Sequence, residues 1–306
     1  MKKILFTGGG GAGTEALWRF LSQKYDLFFA DASLDSIDNR ISNERKLSLP
    51  MAHDKNFISE VQKLITNNKI NILVPGVDEE LIPLAKNRGM ITSKIFAPSM
   101  EFIQLMLDKL ECFIVMNKHG LPVPKTVPLA DVSELKFPLI VKPRTGRGSR
   151  GVCLVQSISE IEAYKVLYKT DLKHLIAQEF ISGDEYTVMV AGDDNGNLKA
   201  IVPVKVKQKK GITIQAHIEL NQLILNYVHQ FHKIFRPSCI YNIQCILTPD
   251  NIVLPFEINP RISTTFCLSI ASGFDPFSSE QEKKTLFLPE AKLFLKRNWT
   301  NCIFSE

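Results

Sequence analysis

The sequence predicts an α/β protein made of two or three domains or subdomains. The first hundred residues alternate short apolar strands with helices, which is the pattern of a parallel sheet in the doubly wound class. After Glu185 strands dominate, with one long helix among them. Two glycine-rich segments, at residues 8–13 and 146–151, each follow a predicted strand. These observations place a helix-covered sheet first and a strand-rich region second.

Hydrophobic runs define the elements of the first part in order. The predicted strands are residues 3–7, 26–30, 70–75 and 95–97, and the predicted helices are residues 13–24, 56–67 and 79–88. The first helix carries apolar residues at helical spacing, namely Ala16, Leu17, Phe20 and Leu21. Pro98 follows the last strand, so we expect residues 1–98 to form the first domain.

The second part begins with a helix-rich stretch that runs to His119 and ends at Gly120 to Pro124. The predicted strands are residues 138–141, 151–155, 175–180, 186–191, 198–206, 238–247 and 251–258, and the predicted helices are residues 159–168 and 221–234. Residues 298–304 are predicted to form a last edge strand.

Composition and charge exclude several classes of protein. Hydrophobic residues at 45% and charged residues at 23% are typical of an ordinary globular chain, and the net charge of +5 is mild for 306 residues. Stacking aromatics are not interleaved with the basic clusters, so we expect no nucleic-acid partner. No apolar run approaches a membrane span, and the six cysteines show no paired spacing. A cytoplasmic protein without a membrane partner is therefore expected.

A predicted hairpin carries the first candidate site. Its two strands, residues 238–247 and 251–258, would bring the side chains of Gln244, Glu257 and Asn259 to one face. A carboxylate between amide oxygens suits Mg²⁺, with Mn²⁺ as an alternative, when the ion is held together with nucleotide phosphates. Arg261 follows, where a guanidinium can hold a transferring phosphoryl group.

The second glycine loop, residues 146–151, is a candidate phosphate site. Glycines allow backbone N–H groups to approach phosphate oxygens and allow the loop to close over them. Lys142 ends the preceding strand and can offer a point charge to the phosphates. The loop residues singled out here are Gly146, Gly148, Ser149 and Gly151.

The first glycine loop supports a different hypothesis. Gly8, Gly10 and Gly13 follow a strand and open a helix, and Asp31 ends the next strand. This spacing matches the dinucleotide fingerprint, in which an acid binds the ribose. An NAD(P)-dependent oxidoreductase therefore remains an alternative, although it leaves the Lys142 loop and the Glu257 and Asn259 pair unexplained.

The order of these motifs resembles that of the ATP-grasp superfamily. The motifs are Asp108-Lys109, Phe137-Pro-Leu-Ile-Val-Lys142, the glycine loop, Gln178-Glu179-Phe180-Ile181, and then Gln244, Glu257, Asn259 and Arg261. The resemblance covers about residues 1–277 and is strongest to one ATP-grasp unit of carbamoyl-phosphate synthetase large chains and to short related carboxylate–amine ligases. It implies a Rossmann-like pre-ATP-grasp domain at 1–98 and an α+β ATP-grasp domain at 99–306. Within the latter, a lid subdomain is expected at about 112–182 and a C-terminal subdomain at about 183–306.

The resemblance also implies roles for individual residues. Lys109 and Lys142 would bind ATP phosphates under the glycine loop. Glu179 and the backbone of Phe180 and Ile181 would read the adenine, and Glu185 would bind the ribose. Gln244, Glu257 and Asn259 would hold one or two metal ions, with Arg261 beside the γ-phosphate. Lys205 and Lys207 would line the phosphate cleft.

The expected activity is that of an ATP-dependent carboxylate–amine (or thiol) ligase acting through an acylphosphate. The expected partners are a small carboxylate and a small amine, and a homodimer is compatible with the resemblance. A non-catalytic ATP-binding protein that keeps the same fold is the second alternative.

Overall fold

The computed structural model describes residues 1–169, 171–278 and 286–298. Its first sheet is parallel and five-stranded, with β1 at Lys3–Thr7, β2 at Asp26–Asp31, β3 at Lys46–Ser48, β4 at Ile72–Val74 and β5 at Lys94–Ile95. The strand order is β3-β2-β1-β4-β5. Helices α1 (Thr14–Leu21), α2 (Phe57–Asn68) and α3 (Asp78–Lys86) connect the strands. The predicted doubly wound class is confirmed, and β3 is added to it.

Alternating side chains of β1 build the cores on the two faces of this sheet. Ile4 and Phe6 point to one face and pack in a cluster with α1 and with the large C-terminal sheet. Leu5 points to the other face and packs against α2 and α3. This alternation is what a strand buried on both faces requires. The N-terminal domain is therefore packed onto the rest of the chain by β1 itself.

Two helices lead from this domain into the lid. Helix α4 covers Met100–Leu107 and α5 covers Lys109–Lys118. Asp108 separates them, and its side chain caps α5 by accepting from the backbone N–H of Glu111 at 3.2 Å. The cap fixes Lys109 at the first turn of α5, where its ammonium points toward the lid.

The lid is a four-stranded antiparallel sheet with one helix. Its strands are β6 (Thr126–Pro128), β7 (Leu139–Pro143), β8 (Cys153–Val155) and β9 (Leu175–Glu179), in the order β6-β9-β7-β8, and its helix is α6 (Ile158–Tyr168). The inward residues of β7, Leu139 and Val141, form the lid core together with Ile161 and Tyr164 of α6. Lys142 therefore ends a strand that is anchored by its own core.

The largest sheet is antiparallel and has six strands. These are β10 (Asp184–Gly192), β11 (Leu198–Lys210), β12 (Ile212–Ile218), β13 (Cys239–Leu247), β14 (Val253–Asn259) and β15 (Phe294–Lys296), in the order β14-β13-β10-β11-β12-β15. Helix α7 (Gln222–Phe235) covers one face with α4 and α5, and α8 (Phe266–Ala271) packs on the other. Every helix among the described residues is too short or too polar to span a lipid bilayer.

Two strand predictions need comment. Strand β12 was not predicted, although Ile212, Ile214, Ala216 and Ile218 alternate with polar residues. The predicted strand over residues 198–206 stops within the lysine run, whereas β11 continues to Lys210 and Gly211, with φ +69°, makes the tight turn of a hairpin. The edge strand predicted over residues 298–304 lies outside the described residues except for Asn298, which is not in a strand.

Candidate active site

A cavity of about 280 Å³ lies between the lid and the large sheet. It is lined by polar side chains from the lid, from α5 and from the C-terminal strands, and by apolar residues at one end. The sequence-predicted residues along its wall are Lys109, Lys142, Gly148, Ser149, Glu179, Phe180, Ile181, Glu185, Gln244 and Glu257. Residues far apart in the sequence thus meet in one place.

Lys142 lies at the bottom of this cavity. Its Nζ donates to Gln178 Oε1 at 2.8 Å and to the carbonyl oxygen of Phe256 at 2.9 Å. Neither partner is charged, and the side chain is buried. Burial therefore lowers the pKa of the Lys142 ammonium to about 7. The site holds a buried amine that gains its charge readily when an anion arrives.

Lys109 and Glu257 form an ion pair beside Lys142. Lys109 Nζ lies 3.1 Å from Glu257 Oε1 and also donates to the carbonyl oxygen of Gly146 at 2.7 Å. Burial alone would raise the pKa of Glu257, but the surrounding cations, Lys109 first among them, hold it below its ordinary value. Glu257 is therefore ionised.

The hairpin of β13 and β14 positions the predicted metal ligands. Gln244 lies opposite Glu257 and Asn242 opposite Asn259 in the strand register. Asn259 is buried, and its Nδ2 lies 3.4 Å from Glu257 Oε2 and 3.3 Å from Asn242 Oδ1. The side chains of Gln244, Glu257 and Asn259 thus lie on one face of the hairpin, as alternation along the strands predicts.

Arg261 follows β14 and points toward the N-terminal domain. Its guanidinium donates to Asp78, which opens α3, and to the carbonyl oxygen of Ile262. Burial would lower the pKa of Arg261, but the Asp78 carboxylate raises it above its ordinary value. The pairing of these two residues could not be predicted, because they are 183 positions apart in the chain.

The apolar end of the cavity holds the residues expected to read adenine. Glu179 Oε1 accepts from the backbone N–H of Lys125 at 2.8 Å, so the carboxylate is fixed to the strand connection before β6. Phe180 is half-exposed, and its N–H donates to the carbonyl oxygen of Pro138 at 3.3 Å. Ile181 continues the wall beside it. This end of the cavity therefore combines apolar walls with the carboxylate of Glu179.

Lys205 lies outside the cavity, contrary to the expectation for it. Lys205 pairs with Tyr186, whose side chain enters the core under α7, and its Nζ binds Asp184 at 2.7 Å. Lys207 stacks over Phe294 instead. Irregular register around Lys207 breaks the alternation of β11, and Lys209 reaches the cavity in their place. The lysine run indicated the right segment. Regular alternation, however, places Lys205, Lys207 and Lys209 on one face and cannot tell which of them reaches the cavity.

Lys209 joins two of the predicted residues. Its Nζ donates to Glu185 Oε1 at 2.6 Å and to Gln244 Oε1 at 3.3 Å. It also lies 5.3 Å from the ring centroid of Phe256, in the range of a cation–π contact. Glu185 would otherwise meet the ribose and Gln244 the metal, so Lys209 is a site residue that the sequence analysis missed.

The glycine loop of the lid, residues 146–151, borders the cavity with positive φ angles. Gly146, Gly148 and Gly151 have φ between +68° and +123°, and Ser149 has φ +58°. Such angles favour glycine. At the tip, Arg147 Nε binds Glu79 of α3 at 2.7 Å. The loop is therefore tied both to Lys109 and to the N-terminal domain.

The N-terminal glycine loop, residues 8–13, is packed against side chains at the end of the next strand, β2, and just after it. Both carboxylate oxygens of Asp31 accept backbone N–H groups, from Gly10 at 2.9 Å and from Ser33 at 3.1 Å. A Cβ at Gly10 would lie 2.2 Å from the Ser36 hydroxyl. Asp31 thus stabilises the loop rather than presenting free oxygens to a ribose, which weighs against the dinucleotide hypothesis.

A second cavity, of about 310 Å³, lies elsewhere, between β5 and the turn after β10. Its polar lining includes Lys94, Asp193, Asp194 and Lys199, and none of the predicted site residues. Lys94 and Asp194 already pair with each other at 2.9 Å. We therefore place the candidate site at the cavity under the lid.

The fold and this site define a class of nucleotide-binding protein in which a lid sheet and a larger sheet grasp the phosphates between them. Residues 106–265, more than half of the chain, match the family model of the ATP-grasp domain. The chain belongs to the ATP-grasp family.

Solved structures show the same fold at low sequence identity. Carboxyaminoimidazole ribonucleotide synthase from Aspergillus clavatus, complexed with ATP, aligns with a TM-score of 0.68 and 17% identity over 85% of this chain and 70% of that one. L-amino acid ligase from Bacillus licheniformis aligns at 0.63 and 17% over 87% and 69%. Biotin carboxylase from Campylobacter jejuni aligns at 0.63 and 16% over 92% and 73%.

Proposed function

We propose that the protein is an ATP-dependent ligase that joins a carboxylate to an amine, or to a thiol, through an acylphosphate. The observation that carries this proposal is the buried cluster of Lys109, Lys142 and Glu257 under a glycine-rich lid. Two ammonium groups around one carboxylate suit a triphosphate with a bound divalent ion. The solved neighbours include by name a ligase, a synthase and a carboxylase, which is consistent with the proposal.

In the first step, an oxygen of the substrate carboxylate attacks the γ-phosphorus of ATP. The new bond is carboxylate oxygen to phosphorus, the bond from the γ-phosphorus to its bridging oxygen breaks, and ADP leaves. Lys142 and Arg261 would offset the charge that spreads over the transferring phosphoryl group. Their role is positioning and electrostatic stabilisation, so this step needs no catalytic base.

In the second step, the amine attacks the carbonyl carbon of the acylphosphate, the bond from that carbon to the phosphate oxygen breaks, and inorganic phosphate leaves with the proton that the nitrogen loses. Water would destroy this intermediate, so the site has to exclude it. The glycine loop covers the cavity and is tied to Lys109 through Gly146 and to Glu79 through Arg147. We expect these contacts to keep the loop closed during both steps.

The donor set fits a magnesium ion. Glu257 is an ionised carboxylate, Asn259 is an amide against it, and both lie next to the lysines expected to meet the phosphates. Hard oxygen ligands that complete their coordination with phosphates are typical of Mg²⁺ sites. When bound, the ion would neutralise phosphate charge, and Glu257 with Asn259 would orient it.

ADP release tests the proposal. The protein is incubated with Mg-ATP and a panel of carboxylates and amines, and ADP is measured with a coupled assay. We expect turnover that requires one carboxylate and one amine, and we expect Glu257→Ala to abolish it. Glu162→Ala, on the exposed face of α6, is the matched control and should keep full activity. Binding of ATP with no turnover over a broad panel would favour the non-catalytic alternative.

A further inference from the structure

The side-chain oxygen of Gln244 accepts a hydrogen bond from the ammonium group of Lys209. The ammonium of Lys209 lies 3.3 Å from Gln244 Oε1 and 2.6 Å from Glu185 Oε1, and the Phe256 ring lies beneath it. A carboxylate, an amide oxygen and an aromatic face thus hold one ammonium group at the cavity wall.

The two halves of the expected metal site differ in charge. Glu257 carries a full negative charge and lies against Asn259. Gln244 carries none, and its oxygen already accepts from Lys209. A divalent ion is bound chiefly by charged oxygen ligands and is repelled by an ammonium group at the same ligand. The Gln244 side is therefore a poor place for a second ion.

Lys109 also touches a metal ligand, but its situation is different. It pairs with Glu257, whose charge remains available, and its other partner is the neutral carbonyl of Gly146. The full charge of Glu257 still attracts a divalent ion beside Lys109, whereas Gln244 offers no charge beside Lys209. Lys209 is held by a different carboxylate, that of Glu185, so we expect it to stay beside Gln244 when nucleotide binds.

We propose that this site takes a single divalent ion, on the Glu257 and Asn259 side, and that the Lys209 ammonium supplies the second positive charge at Gln244. The inference rests on the proposed ATP site. A lysine fixed in the protein needs no second ion from solution, so nucleotide binding depends on one metal equilibrium. Gln244 then acts as a ligand of Lys209 rather than of a metal.

Counting metal ions on the bound nucleotide tests this inference. Mn²⁺ is titrated into equimolar protein and a non-hydrolysable β,γ-imido analogue of ATP, and free Mn²⁺ is read from its electron paramagnetic resonance signal. We expect one tight Mn²⁺ per analogue on the wild type. Lys209→Glu removes the ammonium and adds a carboxylate beside Gln244, and we expect two. Lys209→Met should raise the Kd of the analogue roughly tenfold to a hundredfold, because the phosphates of the analogue would lose the positive charge of the Lys209 ammonium.

Lys210→Glu is the matched control, because it makes the same charge change at the adjacent exposed residue. It should keep one Mn²⁺ and the wild-type Kd. Two tight ions on the wild type, or one ion on Lys209→Glu while that variant still binds the analogue, would overturn the inference alone. If the wild type does not bind the analogue with any Mn²⁺, the proposed ATP site fails and this inference with it.

Discussion

Nucleotide binding should be coupled to protonation of Lys142. In the free protein, burial lowers the pKa of Lys142 from 10.5 to about 7. At pH 8 its ammonium is then only ~10% protonated. Phosphate oxygens next to Nζ would favour the charged form and return the pKa toward its ordinary range. Binding of ATP at pH 8 should therefore take up roughly 0.9 proton.

The sign of the pH dependence follows from the same shift. Proton uptake means that affinity falls as pH rises, by up to about tenfold per pH unit between the pKa of the free protein and that of the complex. ATP itself contributes little at pH 8, because a terminal phosphate ionises near pH 6. Below about pH 7, Lys142 is already charged in the free protein, and the dependence should level off.

Isothermal titration calorimetry in two buffers of different ionisation enthalpy measures this uptake directly. Lys142→Arg is the test variant, because a guanidinium stays charged and takes up no proton. Lys205→Arg makes the same exchange outside the cavity and should keep the wild-type uptake. If the wild type takes up no proton at pH 8, or if Lys142→Arg takes up as many protons as the wild type, Lys142 is not the group that is protonated on binding.

Two further predictions concern stability. Burial raises the pKa of Glu80, which accepts from the Thr7 hydroxyl, to about 7. The folded state thus binds more protons than the unfolded state between about pH 4.5 and 7. As the pH rises through this range, the free energy of unfolding of the wild type should fall by roughly 3 kcal/mol relative to that of Glu80→Gln, measured by urea denaturation. A Cβ at Gly183, whose φ is +149°, would lie 2.3 Å from the carbonyl oxygen of Leu247, so Gly183→Ala should cost more than ~1 kcal/mol in the same assay. Gly89→Ala, with open space around it, is the control, and equal losses in the two variants would contradict the steric account.

Most of the fold could be predicted because its signals are local. Alternation of strand and helix before Pro98 and the long helix before β13 are periodic patterns that any single chain displays. Strand β3 was missed because three residues, Lys46 to Ser48, are too few to show a period. Strand β12 does show one, but the lysine run before Gly211 hid where it begins.

The chemistry of the site was predictable in kind, and its partners were not. Residue type and order pointed to Lys142, Glu257 and Gln244, and all three line one cavity. The choice of Lys209 over Lys205 depends on irregular register in β11, which a regular alternation cannot reveal. The pairing of Arg261 with Asp78 joins two domains, and no sequence pattern reports such a contact.

We propose that the cavity under the lid binds Mg-ATP through Glu257 and the buried lysines. Thermal shifts of the wild type and Glu257→Ala with Mg-ATP, with ATP plus chelator and with NADH test it most directly. At 100 times the Kd, a ligand stabilises the folded state by about 2.7 kcal/mol, which such a shift detects. We predict a magnesium-dependent ATP shift in the wild type that is lost or reduced in Glu257→Ala. A shift with NADH and none with ATP would mean that the N-terminal glycine loop, and not this cavity, binds the cofactor.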